Sequence, residues 1–315
     1  MYSYLESLTV RLALATAELP EATRQRHGDF MLAAQREDGG FAGREGGSDL
    51  YYTGFALRSL AILGLLEGDV SSKAANFLRE RLSGQESIVD FSSLIYGANL
   101  ISAATGEDVF RDAPQTWPDT VSAELEKLRC EDGGYAKGQG GKASSTYHTF
   151  LVLLCRQLIE RPVHEPQKVV DFIRSQAAED GGFREIRVSK RAGTNPTAAA
   201  VGTLRILDSI SPETREETID FLAEMQVDTG GIRANSRIPI ADTLSTFTGA
   251  LTLIDLDATD EFDWKAAQMY IEGMENANGG FHGAEWDMAC DVEYTFYGLA
   301  SLALLRAERS ESDSQ

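Results

Sequence analysis

Residues 35–64 read QREDGGFAGREGGSDLYYTGFALRSLAILG: a charged turn with two adjacent glycines, a short polar loop, an aspartate, then an apolar run at helical spacing. The same order returns from Cys130 as CEDGGYAKGQGGKASSTYHTFLVLL, and again from Glu179, Asp228 and Ala277. The glycine pairs begin at Gly39, Gly133, Gly181, Gly230 and Gly279, so successive gaps are 94, 48, 49 and 49 residues. The first gap is close to two periods. A degenerate unit fills it at residues 82–101, LSGQESIVDFSSLIYGANLI, where a single Gly84 stands for the pair. The chain therefore holds six repeats of about 48 residues, the period range of helical-hairpin arrays.

Each unit predicts two helices joined by the glycine turn. The first is amphipathic, as in PQKVVDFIRSQ at residues 166–176, and the second is apolar on nearly every side, as in TYHTFLVLLCRQL at residues 146–158. Glycine suits the turn because a helix commonly ends on a residue at positive φ. The second helix is expected to open on Asp49, Asp90, Ser145, Asn195, Asp242 or Asp291, whose side-chain oxygens can cap exposed N–H groups. Seven residues further on stand Ala56, Gly97, Val152, Gly202, Gly249 and Gly298, a row small enough for close helix approach.

Helices that are apolar all round must be buried all round, and amphipathic ones cover them. Six of each make an all-α fold, an α/α toroid (α6/α6 barrel), and YLESLTVRLALATAEL at residues 4–19 adds one further amphipathic helix rather than a signal sequence. Residues 1–309 are expected to form this single domain, with a frayed polar tail at 310–315.

Of the 315 residues, 43% are hydrophobic and the formal net charge is −20, which disfavours extended contact with nucleic acid or an anionic bilayer. Cys130, Cys155 and Cys290 are too few and scattered for a disulfide framework and form no C-x-x-C pair, so a reducing, cytoplasmic setting is expected. No apolar run is read as long enough to span a membrane.

The pattern glutamine, three residues, glycine, any residue, aromatic or apolar occurs at Gln35–Phe41 and Gln226–Ile232. It resembles the repeat shared by protein prenyltransferase β subunits and squalene or terpene cyclases. The resemblance covers about the whole chain and implies a toroid whose central apolar cavity holds an isoprenoid. It also implies zinc ligands at positions that here hold Asp242, Leu244 and Tyr294. Leucine cannot coordinate and tyrosine is a poor substitute for imidazole, so no zinc cofactor is expected and thiol prenylation is in doubt. A relocated metal site would have to draw on His282, Cys290, Asp291 or Glu293, which share no ligand spacing. The acid motif of the cyclases would fall on PIADT, residues 239–243, where only Asp242 and Thr243 match and Ala241 holds the proton donor's place. The prenyltransferase β subunits work beside a helical α subunit, and from this resemblance a homo-oligomer is expected here.

The loops between glycine turn and inner helix must share one end of the toroid. The third, fourth and fifth carry Lys137, Lys142, Arg184, Arg187, Lys190, Arg191, Arg233 and Arg237 against one acid, Glu185. In so acidic a chain they are the candidate site for an isoprenoid diphosphate, the plainer reading being a solvated surface. Glu285, Asp287, Asp291, Glu293, Glu45 and Asp49 make the opposite sector acidic. Asp242 and Asp291 are the candidate catalytic acids, with helix capping as the alternative. Tyr52, His148, Phe247 and Tyr294 are expected to line the cavity, and Tyr51, Tyr96, Tyr147 and Tyr297 are read as either lining or core. Three functions stay open: an isoprenoid diphosphate-binding relative of the prenyltransferases, a cyclase-like enzyme, and a non-catalytic binding or scaffold barrel.

Overall fold

The computed structural model describes residues 2–82, 87–258 and 260–312, and the turn at Gly84 lies outside them. The described residues form thirteen helices. Helix α1 (Tyr4–Ala17) precedes six hairpins: α2 (Glu21–Ala33) with α3 (Leu50–Ile62), α4 (Gly68–Glu80) with α5 (Ile88–Thr105), and α6 (Trp117–Glu126) with α7 (Thr146–Leu158). The other three are α8 (Pro166–Ser175) with α9 (Thr194–Ile206), α10 (Pro212–Met225) with α11 (Thr243–Asp255), and α12 (Trp264–Gly273) with α13 (Val292–Ser312). Helix α13 thus continues three residues into the segment expected to be a frayed tail. Two short antiparallel ladders lie in the third and sixth loops: β1 (Tyr135–Ala136) with β2 (Ser144–Ser145), and β3 (His282–Ala284) with β4 (Asp287–Cys290).

The inner helices α3, α5, α7, α9, α11 and α13 pack in that order, and α13 returns to α3. The glycine turns make the closure. Gly39 has φ +87°, and a Cβ there would meet the Lys73 carbonyl of α4, the next outer helix, at 2.2 Å. Gly279 has φ +95°, and its missing Cβ faces the Arg26 carbonyl of α2 at 2.5 Å, so the sixth turn docks on the first outer helix. His27 seals this contact: its Nδ1 accepts the Gly280 N–H (3.1 Å), which leaves Nε2 to donate to Glu275 (2.9 Å). An open superhelix would leave both of these groups without partners.

Inside each described turn the backbone is anchored by one threonine. The N–H groups of Phe41, Tyr135, Phe183, Ile232 and Phe281 donate to the hydroxyls of Thr53, Thr149, Thr197, Thr246 and Thr295, at 2.8–3.2 Å. Each threonine lies four residues past the N-cap of its inner helix. Gln35 and Gln226 add a clamp, each donating both to the turn glycine's carbonyl and to the following outer helix or its cap. This is what the glutamine of the repeat pattern does.

Two of the six expected caps shift. Helix α5 is capped by Ser87 in a capping box with Asp90, and α9 starts from Gly193 without a side-chain cap. Asn195 sits inside α9 and accepts a hydrogen bond from Thr248 on α11 (2.6 Å). Asp90 and Asn195 are polar residues in the first helical turn, and sequence spacing does not separate that turn from the cap. Helix α5 also has a span's length, 18 residues at mean hydropathy 1.2, against the expectation that no run does. It is packed between α3 and α7 in the inner ring, where apolarity serves the core.

Candidate functional site

The inner helices surround a cavity of about 420 Å³. Helix α1 lies across their C-terminal ends and forms its floor. The Tyr4 N–H donates to Gln157 beyond the middle of α7, the Tyr4 hydroxyl and Arg11 both donate to Asp255 at the end of α11 (2.8 and 2.9 Å), and Tyr96 donates to the Leu5 carbonyl (3.1 Å). Leu5, Leu8 and Leu12 of α1 thereby face the cavity.

The wall is built in rings, because helices in register present equivalent residues to the centre. Two residues past each cap come Tyr51, Val89, Tyr147, Asn195, Leu244 and Glu293, and six residues past come Phe55, Ser93, Leu151, Ala199, Thr248 and Tyr297. Deeper still are Arg58, Tyr96, Leu154 and Leu251. Phe55, Phe247, Phe296 and Tyr297 pack edge to face or tilted, with centroids 5.2–5.8 Å apart.

Phe247 lines the cavity, as do Tyr51, Tyr96, Tyr147 and Tyr297, whereas Tyr52, His148 and Tyr294 do not. Those three lie three residues past a cap, and one helical residue turns a side chain by about 100° away from the inward-facing second position. Tyr52 packs on Gly43, and Tyr294 packs on Gly283 with the Arg44 guanidinium 5.4 Å from its ring centroid. His148 Nδ1 is bonded to the Ser145 hydroxyl (2.7 Å).

The candidate acids Asp242 and Asp291 cap their helices and lie outside the cavity lining. Asp242 accepts from the Ser245 N–H (2.7 Å) and hydroxyl (2.8 Å), and burial raises its pKa against those bonds. Asp291 accepts from the Tyr294 N–H (2.9 Å) and from Arg44 (2.8 Å), which also binds Asp287, so one arginine neutralises part of the acidic sector. A capping carboxylate folds back onto its own helix end, which removes it from the centre.

Among the described residues, the carboxyls that do line the cavity are Glu293 and Glu185. Burial raises the pKa of both. Glu293 accepts from the Tyr51 hydroxyl (2.6 Å) and Glu185 from the Ser145 hydroxyl.

None of the eight loop cations lines the cavity. Arg184 donates to the Ser175, Gln176 and Ala177 carbonyls, and Arg233 to the Glu224 carbonyl, so both satisfy the ends of the preceding outer helices. Lys137, Lys142, Arg187, Lys190, Arg191 and Arg237 are exposed, and Arg191 reaches Ser236 of the next loop (3.2 Å). The positions implied for zinc hold a capping aspartate, a cavity leucine and a tyrosine packed on Gly283, a set that does not fit a zinc ion. Among the described residues no three His, Cys, Asp or Glu side chains converge on a common centre.

Arg58, unmarked by any sequence motif, also lines the cavity. Its guanidinium carbon lies 4.9 Å from the Tyr96 ring centroid, 5.1 Å from Phe55 and 5.9 Å from Phe296. No local signal marks it, since one arginine in an apolar helix reads as a surface position.

Protein geranylgeranyltransferase-I of Candida albicans, solved with GGPP, superposes with a TM-score of 0.72 at 17% identity, over 91% of this chain and 92% of that one. The type II terpene cyclase MstE from Scytonema superposes at 0.62 and 14% identity over 96% and 99% of the two chains. The α-1,6-mannanase GH76A from a Salegentibacter species reaches 0.59 at 10% identity, over 91% and 99%, so the shared architecture alone does not fix the chemistry. No curated protein sequence matches the chain significantly. The prenyltransferase alpha-alpha toroid domain matches residues 1–92 and 154–315. With the closed ring of six hairpins around a central cavity, that match places this chain in the prenyltransferase alpha-alpha toroid family.

Proposed function

We propose that this protein binds an isoprenoid carrying an anionic head, its hydrocarbon chain lying in the central cavity, with diphosphates the first ligands to test. The observation that carries this reading is the cavity itself: about 420 Å³, floored by leucines of α1 and walled by aromatic rings packed edge to face or tilted. Its volume and apolar lining lie within the range of small-molecule sites. The similarity to proteins solved with GGPP and with geranylgeranyl dihydroxybenzoate supports the choice of ligand. Zinc-dependent thiol prenylation is not part of the proposal, because Leu244 and Tyr294 offer no ligand where the resemblance requires one.

Acid-initiated cyclisation is a second reading, and Glu293 favours it. Its carboxyl lines the cavity, burial favours the protonated form, and Tyr51 holds its position. Product analysis after incubation with geranylgeranyl substrates separates the two, since binding alone returns the substrate unchanged.

Calorimetric titration of farnesyl and geranylgeranyl diphosphates and alcohols tests the main reading. Ala199→Trp, which fills the second ring, is expected to weaken every ligand by at least about tenfold. Failure of all four ligands to bind the wild type, or equal binding to the variant, refutes it.

A further inference from the structure

Among the described residues Arg58 is the one cation in the wall of a mostly apolar cavity. Among the described residues it forms no ion pair, and its Nε is buried with no acceptor. Neither cavity carboxyl pairs with it: Glu293 accepts from Tyr51 and Glu185 from Ser145. Aromatic faces compensate a guanidinium from above and below, through its π-surface, but they do not accept its in-plane N–H groups. Leaving such donors unmatched is costly unless something else fills the place.

Two further donors face the same space. The Tyr147 and Tyr297 hydroxyls make no hydrogen bond among the described residues, and both feel the charge of Arg58 as well as that of Glu293. Tyr147 is 40% exposed. Arg58, nine residues past the cap of α3, stands in the third ring of the same cavity, below Tyr297 in the second ring and Tyr147 in the first. Beneath them the cavity runs to Leu8, Leu12, Ile62, Leu154 and Leu251, which present no polar side-chain atom.

We propose that Arg58, Tyr147 and Tyr297 form a head-group site inside the cavity that binds the single oxyanion of an isoprenoid or similarly branched carboxylic acid. The proposal rests on the reading of the cavity as an isoprenoid site and names the ligand class. The guanidinium fork matches a carboxylate with two parallel N–H bonds, and the hydroxyls complete its acceptor demand. One guanidinium balances one negative charge. A diphosphate brings several, next to Glu185 and Glu293 in the same wall, and the remaining cations stand outside on the loops.

The test is calorimetric titration at neutral pH of farnesoic acid, farnesol and farnesyl diphosphate into wild type, Arg58→Met and Tyr297→Phe. Wild type is expected to bind the acid at least about tenfold more tightly than the alcohol, as one charge-assisted pair implies. Arg58→Met should abolish that preference while holding farnesol within about threefold, and Tyr297→Phe should reduce it in part. If Arg58→Met does not fold, Arg58→Gln keeps donors without charge and must show the same loss. Equal binding of acid and alcohol by wild type, or a preference that survives in Arg58→Met, overturns the head-group site but leaves the isoprenoid cavity standing. Tight diphosphate binding indifferent to Arg58 also overturns it and moves the head to the loop cations. No binding of any of the three refutes both readings.

Discussion

Replacing Thr246 by valine removes a hydroxyl from the middle of the fifth turn while keeping the side chain's shape. Two bonds are lost: the Ile232 N–H loses its acceptor (2.9 Å), and the Asp242 carbonyl loses the Thr246 donor (2.7 Å). Ile232 and Thr246 are both completely buried, so no water replaces the hydroxyl at the Ile232 N–H. The Asp242 carbonyl still accepts from the Thr246 N–H (3.0 Å) and tolerates its loss. A buried donor left unmatched costs about 1–3 kcal/mol, and valine's methyl recovers none of it. We expect Thr246→Val to lose about 2 kcal/mol, which in a chain of this size lowers the melting temperature by about 2–6 °C. Thr246→Ser keeps the acceptor and gives up one methyl, so it should lose less, about 1 kcal/mol. Thermal and urea denaturation of both variants check the order. Thr149→Val in the third repeat should lose a similar amount, and the two valine changes should add, since their turns share no partner. A valine variant as stable as wild type, or more stable than the serine variant, refutes the idea that these hydroxyls hold the turns.

Gly46 and Gly279 both have positive φ, but a Cβ at Gly46 meets nothing within 4 Å whereas one at Gly279 meets the Arg26 carbonyl. Gly46→Ala should therefore cost about 1–2 kcal/mol from backbone strain alone, and Gly279→Ala clearly more, read from melting curves; equal losses would mean that the sixth turn does not close the ring. Burial lowers the His27 pKa to about 4, so the folded state keeps His27 neutral. Its contribution is complete above the unfolded-state value near 6.5 and is lost as pH falls toward 4, on the order of 3 kcal/mol in all. Stability of wild type against His27→Gln across that window measures it, and an NMR titration of the ring near 6.5 contradicts it. After dialysis against zinc the protein should retain less than one equivalent; a full equivalent removed by Asp242→Ala would restore thiol prenylation as the leading function.

The repeat was readable because each glycine turn needs the same residues wherever it occurs. Positive φ and the close approach of the next outer helix leave only glycine at Gly39 and its counterparts, and the period of these pairs counts the hairpins. Burial of a helix on all sides is also written into its composition, so a ring of apolar helices inside amphipathic ones followed from sequence. The threonine row keeps a fixed spacing as well, Thr149, Thr197, Thr246 and Thr295 each standing 14 residues after the anchored N–H, but its role appears only in the fold, where the hydroxyl meets that N–H. What only the tertiary structure decided is which way each inner helix faces. A helix that is apolar all round carries no moment to mark its inner side, and an error of one residue moves a side chain by about 100°. That is why Tyr147 and Glu293 line the cavity while their neighbours His148 and Tyr294 pack outside it. It is also why Arg58 could not be placed: its setting is made by Phe55 on its own helix, Tyr96 on α5 and Phe296 on α13, residues up to 241 positions apart that meet only when the ring closes.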